Sequence, residues 1–217
     1  MRLVCVNPNS TEAMTESIRA VAAEALPGAE VIGLTNYAAP PAIQGPEDGA
    51  AAVRGLLAML PELRTAKPDA LILACFDDTG LAELRDALPC PVIGIGQAGF
   101  HMALLLAGGF SVVTTLAVSV PVIAENIQAY GFADLCREVR ASGIPVLEVE
   151  EGSPETLAKL RVEIAQAEAD GAKAVVLGCA GMGRWQPDLA QGCDIPVIDG
   201  VKAAALMAQA AFAMTKP

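Results

Sequence analysis

Two of the six cysteines stand where acid–base chemistry could be done. Cys75 closes the apolar run Leu71-Ile72-Leu73-Ala74, and Cys179 closes Val175-Val176-Leu177-Gly178. Each run reads as a buried strand, and each is followed by a turn: Phe76-Asp77-Asp78-Thr79-Gly80 in one case, Ala180-Gly181-Met182-Gly183 in the other. Backbone N–H groups at a strand-to-helix turn are unpaired and can hold an anion, which favours a thiolate. A charge on Asp77 or Asp78 pushes the other way and favours the neutral thiol. Two sulfurs facing one carbon suit proton removal on one face and proton return on the other, with donors nearby to stabilise the enolate. The two would hold opposite protonation states and titrate as a pair. On residue chemistry alone, this reading stands level with two buried structural cysteines. Cys5, Cys90, Cys136 and Cys193 read as small buried hydrophobes.

The spacing around the two cysteines is nearly duplicated. Pro91-Val92-Ile93 follows Cys75 at almost the same interval as Pro196-Val197-Ile198 follows Cys179. Upstream, the strand ending at Val6 precedes Cys75 by nearly the distance that separates Val113, another strand end, from Cys179. Agreement at these landmarks is the mark of an internal repeat. Strands are expected at 3–6, 30–34, 70–75, 92–95, 110–114, 144–149, 173–178 and 196–198. Helical patterns lie between them, including a long helix over 47–65. Uninterrupted apolar strands alternating with helices predict a parallel sheet covered on both faces. The expected fold is therefore α/β. Two similar parallel-sheet lobes, 1–97 and 98–217, would be related by a pseudo-twofold, with the C-terminal helix packing back on the first. The site would lie in the cleft at the carboxyl ends of the strands, where ligands bind in open α/β sheets.

Composition narrows the function. The net charge of −11 and the lack of a basic run argue against nucleic acid or an anionic membrane surface. Residues 90–124 carry no Asp, Glu, Lys or Arg, but Gly108-Gly109, Thr114-Thr115 and Pro121 break that run into buried elements. The N-terminus reads as a first strand, so the expected location is the cytoplasm. With no CxxC and a single histidine, His101, no metal site is expected. His101 sits in an apolar helical run and reads as a satisfied buried side chain, and Trp185 as packing for the loop after Cys179. Asn7-Pro8-Asn9-Ser10-Thr11 is turn chemistry before a helix, which taken alone is most simply a cap. Thr114-Thr115 occupies the equivalent place in the second half, so the two polar turns could grip one substrate.

Taken together, Asn7-Pro8-Asn9-Ser10-Thr11, Ala74-Cys75-Phe76-Asp77-Asp78 and Gly178-Cys179-Ala180-Gly181-Met182 resemble the aspartate/glutamate/hydantoin racemase superfamily, nearest its hydantoin and allantoin branch. Pro41-Ala42-Ile43-Gln44-Gly45 is similar to a site loop of that branch, with Ala42 and Gln44 replacing its Ser and Glu. Thr79 stands where the branch commonly has Pro. The resemblance implies a cofactor-independent racemase with Cys75 and Cys179 as the catalytic pair. It implies substrate contacts from the backbone at Phe76, Asp77, Ala180 and Gly181. It also implies pocket-lining roles for Asn9, Ser10, Ile43, Thr114 and Thr115, and a homo-oligomer acting on a small molecule. A 5-substituted hydantoin or allantoin leads, and an acidic amino acid is the runner-up. A related arylmalonate decarboxylase has only the second cysteine, so Cys75 argues against that activity. A two-lobed ligand-binding protein would gain nothing from a second cysteine. A redox switch would need the sulfurs near bonding distance, about 2 Å.

Overall fold

The computed structural model describes residues 1–215; Lys216 and Pro217, the last two positions of the second segment, lie outside the described residues. The first half contains β1 (Arg2–Asn7), α1 (Glu12–Ala25), β2 (Glu30–Thr35), α2 (Pro46–Ala58), α3 (Leu60–Thr65), β3 (Ala70–Leu73), α4 (Leu81–Ala87) and β4 (Val92–Gly94). Helix α5 (Ile95–Ala107) leads to β5 (Phe110–Thr114), α6 (Val120–Ala129), β6 (Cys136–Ala141), α7 (Val146–Glu151), α8 (Pro154–Ala169), β7 (Val175–Gly178), α9 (Gln186–Leu189), β8 (Val197–Asp199) and α10 (Gly200–Thr215). The strands form two four-stranded parallel sheets, ordered β2-β1-β3-β4 and β6-β5-β7-β8. The orders superpose term by term, so the fold is the two-lobed repeat that the cysteine spacing predicts.

The central strands are apolar throughout because both of their faces are covered. Val4, Val6, Leu71 and Leu73 meet Leu56, Leu63, Leu81 and Leu84 in one core. Leu3, Cys5 and Ile72, from the opposite face, join a larger core that continues through Phe100 to Phe110, Val112 and Val176. That larger core spans both sheets. At its centre Phe100 stacks on Phe110 with ring centroids 5.3 Å apart. Burying a large aromatic contributes about 2–3 kcal/mol, and Phe76 of the first lobe meets Phe100 edge-on at 5.6 Å, so the cluster joins the two lobes.

Two helices cross between the sheets. Helix α5 leaves β4 and lies against β5, β7 and β8, while α10 leaves β8 and lies against β3, β4 and α1. They also pack on each other. Two glycines allow this packing: a Cβ on Gly99 would come within 2.7 Å of the Val176 methyl of β7, and one on Gly200 would collide with the Ile95 carbonyl of α5.

Two elements differ from the sequence expectation. The strand beside β5 is 136–141, not 144–149; residues 146–151 form helix α7. Cys-Arg-Glu-Val-Arg-Ala is an edge strand with exposed charges, so it lacks the apolar signature of a central strand. Pro145 precedes the first turn of α7, whose Val146 and Val149 are buried. The long helix expected over 47–65 divides at Met59, two residues before Pro61, which sits in the first turn of α3.

Candidate active site

Both cysteines lie just past the carboxyl ends of equivalent strands, Cys75 after β3 and Cys179 after β7, and both line one cavity of about 40 Å³. That volume holds a few waters. Asn9, Ile43, Phe76, Asp77, Thr115 and Ala180 also line it, as do Met14, Ser119 and Val146. The structure sets three other residues apart from the cavity wall. Ser10 is held by its N–H on the Pro40 carbonyl. The Thr114 hydroxyl turns back onto the Gly178 carbonyl at 2.9 Å. Gly181 lies behind the Cys179 turn, against Glu150. Asn9 lines the wall, but its amide oxygen accepts from Asn7 and from the Thr11 N–H and its amide nitrogen meets Met14 Sδ, so its polar atoms are spent on the loop. Thr115 and Ser119 are buried, and neither hydroxyl has a partner among the described residues. Ser119 had no motif to mark it; it stands in the single turn of 3-10 helix at Ala117–Ser119, before the Pro121 that opens α6.

Electrostatics make both resting sulfurs thiols. Burial pushes Cys75 well above the usual thiol range, and the Asp77 charge adds to it, opposed by a hydrogen bond from the Asp77 backbone N–H. Burial pushes Cys179 up to about 12, opposed by the N–H groups of Gly181 and Met182, while Glu150 and Asp77 raise it further. The turns therefore do aim N–H groups at the sulfurs, but burial and nearby carboxylates outweigh them.

A carboxylate caps the helix that leaves each sheet, but from a different place in the two lobes. Asp78, at a left-handed φ of 49°, accepts from the Gly96 and Gln97 N–H groups at 3.1 and 2.8 Å, and from the Tyr130 hydroxyl at 3.1 Å. It thus caps α5 from the Cys75 turn, and Asn126 on α6 donates to the Asp77 carbonyl at 2.7 Å. In the second lobe the cap is Asp199, which accepts from the Val201 and Lys202 N–H groups at 3.0 Å each. The positions are exchanged. A Cβ on Gly94, the counterpart of Asp199, would collide with Asp78, and one on Gly183 in the Cys179 turn would lie 2.8 Å from Asp199.

Glu150 backs the Cys179 turn. Its Oε1 accepts from Ser17 at 2.5 Å and meets Arg184 at 3.5 Å, while its Oε2 is buried without a hydrogen-bond partner. Burial raises its own pKa. Replacing Glu150 with Gln removes a negative charge that raises Cys179, so the Cys179 thiol is expected to ionise at lower pH. Iodoacetamide labelling of Cys179 against pH would show the midpoint moving down; an unchanged or higher midpoint would reject this role. Among the described residues no cluster of His, Cys, Asp and Glu could hold a metal ion, and no helix is long and apolar enough to cross a membrane.

Comparison with known proteins agrees with this geometry. The sequence profile of the Asp/Glu/Hydantoin racemase family matches residues 3–208. The chain belongs to that family. It is an isomerase of the racemase kind. It is 42% identical to a hydantoin racemase of Rhizobium meliloti, over 97% of this chain and 88% of that one. An allantoin racemase structure from Klebsiella pneumoniae superposes with a TM-score of 0.94 at 37% identity, covering 99% of this chain and 88% of that one. The allantoin racemase of Pseudomonas fluorescens gives 0.90 at 32% identity, with 99% and 92% covered.

Proposed function

We propose that this racemase inverts the carbon beside a carbonyl in a neutral cyclic ureide, a 5-substituted hydantoin or allantoin, by proton transfer between Cys75 and Cys179. The observation that carries the substrate class is the charge on the cavity wall. Both cysteines line it, but among the described residues no Lys, Arg or His does, and the one charged side chain is the carboxylate Asp77. An aspartate or glutamate substrate would bring its carboxylates beside Asp77 with no cation to meet them. A neutral ring needs none, and the relatives named above are hydantoin and allantoin racemases.

One cysteine first gives its thiol proton to solvent, a loss favoured by the N–H groups aimed at the sulfurs, and the thiolate then takes the proton from the ring carbon. The electron pair moves onto the adjacent carbonyl oxygen, giving an enolate. N–H groups at the turns after the cysteines, with the Thr115 and Ser119 hydroxyls, are the donors available to it. The opposite cysteine, as thiol, returns a proton to the other face. The thiol and thiolate have then exchanged places, so the enzyme left behind is set for the reverse direction. Ring carbonyl polarity makes this proton acidic enough for a thiolate held among N–H donors.

The test is incubation in heavy water with single enantiomers of hydantoins, allantoin, aspartate and glutamate, following deuterium at the stereocentre and loss of optical rotation together. Exchange and inversion with the ureides alone is the expected result. Turnover of the acidic amino acids with none of the ureides would reject the assignment.

A further inference from the structure

Asp77 and Asp78 are adjacent carboxylates with opposite circumstances. Asp78 accepts three hydrogen bonds and faces helix α5. Asp77 lines the cavity, and its carboxylate makes no hydrogen bond or ion pair with any described residue; its bonds are at the backbone, the N–H to Cys75 and the carbonyl from Asn126. It shares the cavity wall with both cysteines, so it faces the space a substrate must occupy. Burial pushes it up to about 6 with no neighbouring donor in opposition. Asp77 is half-buried and its oxygens keep some contact with solvent; a bound ligand would close off that water, and the cost is offset when the ligand supplies the donor.

The rest of the polar wall does not have this one-sidedness. The Thr115 and Ser119 hydroxyls donate and accept, so they can serve ring N–H and C=O groups alike. An ionised carboxylate only accepts. We propose that the Asp77 carboxylate is the specificity-determining group of the site, accepting a hydrogen bond from an N–H donor on the substituent of the reacting carbon. That donor is a ureido, amide or ammonium group. The inference rests on the cyclic-ureide reading above and narrows it. A hydrocarbon substituent would cut Asp77 off from water without giving it a partner, and a carboxylate substituent would repel it. A site built to pair a polar group discriminates strongly against a substrate that lacks the mate.

Two isosteric pairs test this: 5-ureidohydantoin against 5-isobutylhydantoin, and 5-(aminomethyl)hydantoin against 5-ethylhydantoin. The ratio of kcat/KM within each pair, read by circular dichroism, removes general effects on folding or catalysis. The parent is expected to favour the N–H-bearing member of each pair tenfold or more. Asp77→Ala is expected to bring both ratios to within about threefold of one. Asp77→Asn, which keeps an acceptor oxygen without the charge, is expected to recover part of the ureido ratio. Parent ratios near one, or ratios unchanged in Asp77→Ala, would overturn the role of Asp77 while leaving a hydantoin racemase in place. A parent that racemises none of the four compounds would overturn both readings.

Discussion

Cys179→Ala is expected to end racemisation and yet to keep half of the exchange chemistry. The remaining Cys75, as thiolate, faces one side of the substrate carbon. It can take a proton from the enantiomer that presents hydrogen on that side and exchange it with solvent. It has no opposite thiol to complete the inversion. Cys75→Ala should do the same with the other enantiomer. Loss of a positioned acid or base costs about 10²–10⁴-fold in rate, which removes measurable inversion here. The check is paired: optical rotation for inversion, and proton NMR in heavy water for exchange, on each enantiomer and each variant. Mirror-image exchange in the two variants is the signature of two bases. Full racemisation by either variant would reject the pair.

The largest stability effect is expected at Asp78. Asp78→Ala removes the cap from α5, leaves the buried Gly96 N–H without its acceptor, and places alanine at a left-handed φ. Release of a desolvated carboxylate offsets part of this, so the net cost is about 2–3 kcal/mol. For a chain of this size that corresponds to a fall in Tm of roughly 5–12 °C. Burial, opposed by the Gln97, Gly96 and Tyr130 donors, pushes this carboxyl up to about 7. A folded-state pKa above the unfolded value of about 3.9 means the native state holds the extra proton between the two. The stability that this linkage contributes is present below pH 4 and is lost as pH rises through 7. Urea unfolding should therefore show a larger cost for Asp78→Ala at pH 5 than at pH 8; the opposite trend would reject the raised pKa. Asparagine is a poor rescue. It tolerates the backbone angle, but its amide NH2 would face one of the N–H donors that the carboxylate accepts from.

Much of the architecture was legible because central parallel strands are buried on both faces. Leu71-Ile72-Leu73 and Val175-Val176-Leu177 stand out as continuous apolar runs, and near-equal spacing then separated Cys75 and Cys179 from the other four cysteines. The edge strand 136–141 was hidden by the same rule, since an edge keeps its charges. Side-chain direction was the other blind spot. Thr114 and Thr115 are neighbours, yet one hydroxyl turns back to Gly178 and the other residue lines the cavity. Met14, Ser119 and Val146 reach the wall through tertiary packing that no local pattern records. The crossing of α5 and α10 is of the same kind, depending on which sheet each helix lies against after its strand ends.

The exchanged carboxylates give the two lobes unequal mechanics. Asp199 belongs to the helix terminus it caps, so displacement of the Cys179 turn leaves α10 intact. Asp78 belongs to the turn, so displacement of the Cys75 side pulls the cap out of α5 and strains the bonds to Tyr130 and Asn126 in the opposite lobe. The Cys179 side is tied instead by side chains, with Ser17 of α1 donating to Glu150 and accepting from Arg184. A site symmetric in its chemistry is thus anchored asymmetrically, by a helix cap on one side and by a Ser–Glu–Arg contact on the other.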